Sequence, residues 1–216
     1  FAELKDWETE RTDPILKAFS KYASVPVINL ESAMHHPCQA MADMMTIREK
    51  LGPARKRLLL TWAWHPKPLP MAVPNSFALA AAQFGHELTI VHPEGYDLDA
   101  ELLAELELQA AETGGSVTHS SDPHEAYDGI EVVYAKSWGS RHFYGNPEGD
   151  IEKRASLRSD WIVDEAKMVR TSNAAFMHCL PVRRNVIVTD GVIDSPNSLV
   201  IDEAENRLHV QKAIMT

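Results

Sequence analysis

Two short stretches, far apart in the chain, hold most of the side chains able to do chemistry: His35-His36-Pro37-Cys38-Gln39 and His178-Cys179-Leu180-Pro181-Val182-Arg183-Arg184. An imidazole can donate or accept, a thiol is a soft polar group, an amide does both, and a guanidinium is a fixed cation shaped for carboxylate or phosphate. A second pattern runs beside them. Glu31, His65, His92, Lys136 and His178 each come directly after a short apolar run. If those runs are strands of one parallel sheet, the five side chains gather at its carboxyl edge, where open α/β sheets bind ligands. Cations, neutral imidazoles and one carboxylate together suit an anionic substrate that also carries an amine or amide. A zinc site built from His36, Cys38, His178 and Cys179 does not match structural-zinc spacing, so no metal is expected. No Gly-x-Gly-x-x-Gly follows a strand, and no Walker loop or Gly-x-Ser-x-Gly elbow is present, which removes the usual dinucleotide, nucleotide and serine-hydrolase signatures.

The elements that must position these groups alternate. Helical spacing marks Asp13 to Ala23, with Pro14 well placed at its start. Val25 to Leu30 reads as a buried parallel strand. A helix should run from Pro37 to Leu51, started by its proline and stopped by Gly52-Pro53. Strands are expected over Lys56 to Trp64, Glu87 to Val91, Ser116 to His119, Glu131 to Ala135 and from Phe176 until Pro181 breaks the run. Helices are expected over Val73 to Phe84, Asp99 to Thr113, Trp161 to Arg170 and Glu203 to Met215, with a helical turn over Pro123 to Tyr127. His65-Pro66-Lys67-Pro68-Leu69-Pro70 is a stiff loop, and residues 138 to 156 read as one long polar loop, a length often kept for function. Val192 to Asp194 and Leu199 to Ile201 are short segments. The alternation, with several continuously apolar strands, predicts an α/β fold with a doubly wound parallel sheet.

With 31 acidic against 21 basic residues, the net charge of −10 excludes a general nucleic-acid surface. No apolar run nears the ~18 residues that span a membrane. Two cysteines make no disulfide framework, and a reducing cytoplasm is the simplest setting. Residue 1 is Phe, and Phe1 to Trp7 opens without the character of a cap or a tail, so a piece of a longer protein is expected.

His36-Pro37-Cys38-Gln39 together with His178-Cys179-Leu180-Pro181 resembles the paired signatures of the carbamoyltransferases, and the stretch Asp202 to Lys212 resembles that family's closing segment. Asn29-Leu30-Glu31, His65-Pro66-Lys67-Pro68-Leu69, Tyr134-Ala135-Lys136-Ser137-Trp138-Gly139 and Met177 to Asn185 are similar to the N-acylornithine branch, whereas the Ser-Met-Gly loop of ordinary ornithine enzymes is absent. The resemblance implies carbamoyl phosphate and an N-acylornithine as partners, no cofactor and a homotrimer. It also implies a division into the end of a carbamoyl-phosphate domain (residues 1–51) and an acylornithine-binding domain (residues 52–216). The family's Ser-Thr-Arg-Thr phosphate loop is not in this chain, so the chain alone should be inactive. By motif match, His36, Pro37, Cys38, Gln39, Cys179, Leu180 and Arg207 would contact carbamoyl phosphate. Glu31, His65, Lys136 and Arg183 would contact the acylornithine, with His36, Cys179 and Arg183 closest to the reaction. The acetyl branch carries a Lys after the Asn-Val of the second motif where this chain has Ile187; that position and the runs at residues 68–76 and 92–96 lean to N-succinylornithine. An ordinary ornithine carbamoyltransferase and a non-catalytic binding module are the competing readings.

Overall fold

The structure, a computed structural model, describes residues 6–216. Phe1, on which the expectation of a longer protein partly rests, lies outside the described residues. In chain order the helices are α1 (Trp7–Glu10), α2 (Pro14–Tyr22), α3 (Pro37–Leu51), α4 (Ala72–Gln83), α5 (Ala100–Thr113), α6 (Pro147–Ala155), α7 (Glu165–Val169), α8 (Asp190–Ile193) and α9 (Val200–Met215). The strands are β1 (Arg57–Trp62), β2 (Glu87–Val91), β3 (Ser116–Ser120), β4 (Val132–Lys136) and β5 (Ala175–Met177). They form one parallel sheet in the order β3-β2-β1-β4-β5. The expected doubly wound sheet is therefore the observed one. Leu58 to Trp62 and all of β4 are buried, as strands covered by helices on both faces must be.

The strand order reverses between β1 and β4, so a crevice opens beyond their carboxyl ends, where Trp62 pairs with Lys136. The long helix α3 brings its first turn to this crevice. Pro37 pre-sets its N-terminal φ, and Gly52, at φ +83°, ends it in a conformation that a side chain would strain. On its other side α3 packs along α9 and against α4. Phe77 of α4 stacks on Tyr134 of β4 at 4.1 Å between ring centres, which locks α4 to the sheet beside the crevice.

Three expectations are corrected. Val25 to Leu30 forms no strand: no partner strand lies along it among the described residues, and Val25 and Leu30 are exposed. An apolar run becomes a strand only when something pairs with it and covers it. Residues 138 to 156 are not one loop, because they hold a 3-10 turn at Arg141–Phe143 and helix α6. Its signal was readable: Asn146 caps it, Pro147 stands in its first turn, Glu148 and Asp150 sit near its start, and Lys153 and Arg154 near its end. Trp161 to Arg170 is helical only over Glu165–Val169, since Asp164 caps the helix by accepting from Lys167 N and so starts it late.

Candidate functional site

A cavity of about 250 Å³ opens at the carboxyl edge of the sheet. Its walls come from four places: His36 and Gln39 at the start of α3, Lys136 at the end of β4, Cys179 and Leu180 after β5, and Arg207 on α9. Glu31, Pro70, Val73 and Pro181 complete it. A second cavity of about 470 Å³ adjoins it and shares Glu31 and Pro70.

The α3 end is set by backbone contacts. His36 N donates to Ser76 Oγ of α4 at 2.7 Å, and Asn75 Nδ2 donates to Met34 O at 3.2 Å. His36 is buried, and its Nδ1 has no partner among the described residues. Burial, then Arg207 and Lys136, push its pKa down to about 4, so it is a neutral imidazole at physiological pH. Gln39 Nε2 donates to Asp43 Oδ1 at 2.8 Å and to Glu203 Oε1 at 2.9 Å, while its Oε1 accepts from Arg207 Nη1 at 3.1 Å. Both amide hydrogens are spent, and one lone pair of the carbonyl oxygen remains for a ligand. Arg207 Nε is buried without a partner among the described residues.

On the opposite wall, Lys136 is 8% exposed and, among the described residues, its Nζ reaches only Ser137 O, at 3.3 Å. Burial lowers its pKa, opposed by the Glu31 carboxylate. Cys179 is pushed up to about 12, chiefly by burial, and is a thiol rather than a thiolate. Leu180 has a left-handed backbone, φ +47°, and its N–H donates to His178 Nδ1 at 3.0 Å, leaving its carbonyl as the backbone group available there.

Not every anticipated residue reaches the cavity. Cys38 is fully buried, with Sγ 3.9 Å from Asn29 O, and Pro37 is exposed in the first turn of α3; neither lines it. His65 is held in its own turn, with Nδ1 2.8 Å from Lys67 O, and lies outside the lining. Arg183 is exposed and close enough to His65 to lower its pKa, after burial. His92 turns to Pro93 O at 2.9 Å, and His178 is buried beneath the floor. Of the five groups expected to converge from strand ends, Glu31 and Lys136 line the cavity, and Glu31 does so without following a strand.

Asp43 and Glu203 were missed. Each lies one helical turn from a recognised residue, Asp43 after Gln39 and Glu203 before Arg207, and that spacing was the available signal.

His178 has a testable consequence. Burial, then Lys136, push its pKa down to about 3. The unfolded chain takes up this proton below about pH 6.5 and the folded one does not, so His178 removes stability as pH falls from about 6.5 toward 3. The buried carboxyls Asp43 and Glu203, raised by burial, pull the other way, so the variant difference isolates the histidine. Between pH 6 and 4, the slope of unfolding free energy against pH should be about 1.4 kcal/mol per pH unit less positive in His178→Asn than in wild type. Urea titrations with parallel slopes would contradict this.

Two family models match the chain: the Asp/Orn-binding domain of aspartate/ornithine carbamoyltransferases over residues 70–216, and the carbamoyl-P-binding domain over residues 4–49. The chain is 48% identical to the N-acetylornithine carbamoyltransferase of Xanthomonas campestris pv. campestris, aligning over 100% of its own length and 64% of the relative's. It is 42% identical to the N-succinylornithine carbamoyltransferase of Bacteroides fragilis, over 96% of this chain and 60% of that one. A crystal structure of acetylornithine transcarbamylase complexed with acetylcitrulline superposes with a TM-score of 0.94 at 48% identity, covering 99% of this chain and 64% of that one. The chain thus spans about 64% of the length of the first of these relatives. No helix among the described residues is long and apolar enough to cross a membrane. With the doubly wound sheet, the cavity at its carboxyl edge and both domain models in agreement, the chain belongs to the aspartate/ornithine carbamoyltransferase family.

Proposed function

We propose that the protein moves the carbamoyl group of carbamoyl phosphate to the δ-amine of an N-acylornithine, giving N-acylcitrulline and phosphate. The observation that carries this reading is one cavity with two cations, Lys136 and Arg207, neither paired with a carboxylate within it, beside a neutral imidazole and an oriented amide. Such a lining fits two anions held side by side. The amine would attack the carbamoyl carbon, a C–N bond forming as the C–O bond to phosphate breaks, with the amine proton passing to the departing phosphate. Charge grows on the carbonyl oxygen, and His36, neutral and able to donate, is the group to stabilise it. Gln39 Oε1 would accept from the carbamoyl NH₂ and Arg207 would hold the phosphate. Cys179, as a thiol, lines the carbamoyl group rather than attacking it. Lys136 would pair with the α-carboxylate and Glu31 would take an N–H of the acylornithine, with Arg183 and His65 at the rim. This chemistry needs no metal or organic cofactor.

The division at residues 51 and 52, a homotrimer with sites at its interfaces, and a reducing cytoplasm, in keeping with the free thiols Cys38 and Cys179, belong to the same proposal. The test is turnover of the full-length protein with ornithine, N-acetylornithine and N-succinylornithine. Activity with either acyl substrate and none with free ornithine is expected, and turnover of ornithine alone ends the reading. The choice between acyl groups is the second readout. Ile187 predicts succinyl, whereas the higher identity to the acetyl enzyme predicts acetyl.

A further inference from the structure

Beneath the cavity, Asp43 of α3 and Glu203 of α9 are each fully excluded from water, and they stand side by side on one nitrogen, with Gln39 Nε2 2.8 Å from Asp43 Oδ1 and 2.9 Å from Glu203 Oε1. No ion pair among the described residues includes either. Two charges side by side in so dry a place repel strongly, so one carboxyl must keep a proton. The hydrogen bonds identify which. Glu203 accepts from Gln39 Nε2 at 2.9 Å, from Tyr134 OH at 3.3 Å and from His178 N at 3.0 Å. Three donors stabilise a carboxylate. Asp43 Oδ1 accepts from Gln39 Nε2, but its Oδ2 is buried with no donor aimed at it among the described residues. Tyr134 also touches Asp43, yet has a single hydrogen to give.

We propose that Asp43 keeps a proton at neutral pH and donates it to Glu203, and that this acid–carboxylate unit fixes the direction of the Gln39 amide. With both Gln39 hydrogens taken by carboxyl oxygens, the carbonyl must face Arg207 and the cavity, because the flipped amide would set oxygen against oxygen. Asp43 and Glu203 are positioning residues, and the functional half of the inference rests on the cavity being a carbamoyl phosphate site. The titratable groups facing the pair are Tyr134 from β4, Cys179 after β5 and Arg207 from α9.

Asp43→Asn copies the proposed acid, since its Nδ2–H donates to Glu203 and its Oδ1 still accepts from Gln39. Glu203→Gln puts an NH₂ among three donors. In the full-length protein at pH 7.5, infrared difference spectra between wild type and Asp43→Asn should show one protonated-carboxyl carbonyl band, lost in the variant. KM for carbamoyl phosphate should stay within about threefold in Asp43→Asn and rise at least about tenfold in Glu203→Gln, with KM for the amino substrate unchanged in both. A spectrum without that band, or Asp43→Asn impaired as badly as Glu203→Gln, overturns the proposal. If Glu203→Gln fails to fold, the band and the Asp43→Asn kinetics still decide. Should the protein not use carbamoyl phosphate, the functional reading falls while the infrared result continues to judge where the proton sits.

Discussion

Lys136→Ala is expected to weaken binding of an N-acylornithine about 10- to 100-fold and leave carbamoyl phosphate binding within about threefold; Arg207→Ala should do the reverse. Lys136 is a buried cation whose nearest bonded partner is a backbone carbonyl at 3.3 Å. Its charge is therefore unspent until an anion arrives, and a charge-assisted bond in such a site contributes about 1.5–3 kcal/mol. Arg207 is also underused, with Nη1 on Gln39 and Nε without a partner. A guanidinium can grip a phosphate with two parallel bonds where an ammonium offers a point charge, which matches each cation to its ligand. Neither substitution removes an internal ion pair among the described residues, so Tm should hold nearly constant. Removing Lys136 relieves a desolvation cost and can even raise it. Calorimetric titration of both ligands into both variants checks the assignment. Equal losses of both ligands in either variant would contradict it, since they would mean that the cations act on the cavity as a whole.

The fold was legible wherever one segment carries its own reason. Glu87–Val91 and Pro37–Leu51 were bounded correctly because alternation, a starting proline and a stopping glycine are local facts. Val25 to Leu30 was misread because a strand depends on a neighbour that no local pattern reports. Residues 138 to 156 look like a loop because they are polar throughout, yet Asn146-Pro147 carries the cap and the first-turn proline of a helix. At the site, His36, Gln39, Lys136, Cys179 and Arg207 were singled out as motif residues, and the structure brings them to one cavity. The groups that hold them escaped notice. Glu203 meets Gln39 across 164 positions, and Arg154 meets His65 across 89. A carboxylate on a helix looks like a solvated charge until its distant partner is known.

Arg154 yields the largest expected loss of stability. It is 1% exposed, as is Asp150 one turn earlier on α6, and its Nε donates to Asp150 Oδ1 at 2.6 Å. Nη1 donates to His65 O at 3.0 Å and Lys67 O at 2.9 Å, and Nη2 to Trp138 O at 3.1 Å. The guanidinium lies over Trp62 and Tyr96, 5.5 and 5.6 Å from their ring centres. One side chain thus ties the loop after β1 to the turn after β4, the turn that begins at Lys136. Asp150 reinforces the tie by accepting from Ser140 N at 2.7 Å. Arg154→Met keeps the bulk but leaves a buried carboxylate without its ion-pair partner and, among the described residues, His65 O without a donor, while Trp138 O keeps only Trp62 Nε1 and Lys67 O only its 2.8 Å contact with His65 Nδ1. Breaking such a pair costs about 3–5 kcal/mol, or a Tm drop of roughly 10 °C for a chain of this size. Arg154→Lys should recover little, because an ammonium cannot reach three carbonyls and a carboxylate in a planar fork. The double variant Asp150→Asn/Arg154→Met should lose less than the sum of its parts, since the orphaned charge is gone. Chemical denaturation of the three variants measures this, and a loss below about 1 kcal/mol for Arg154→Met would show that the loops stand without the clamp. Because losing the clamp frees the turn that follows Lys136, binding of the acylornithine should fall with stability, while the Gln39–Arg207 wall, held by α3 and α9, should keep its hold on carbamoyl phosphate.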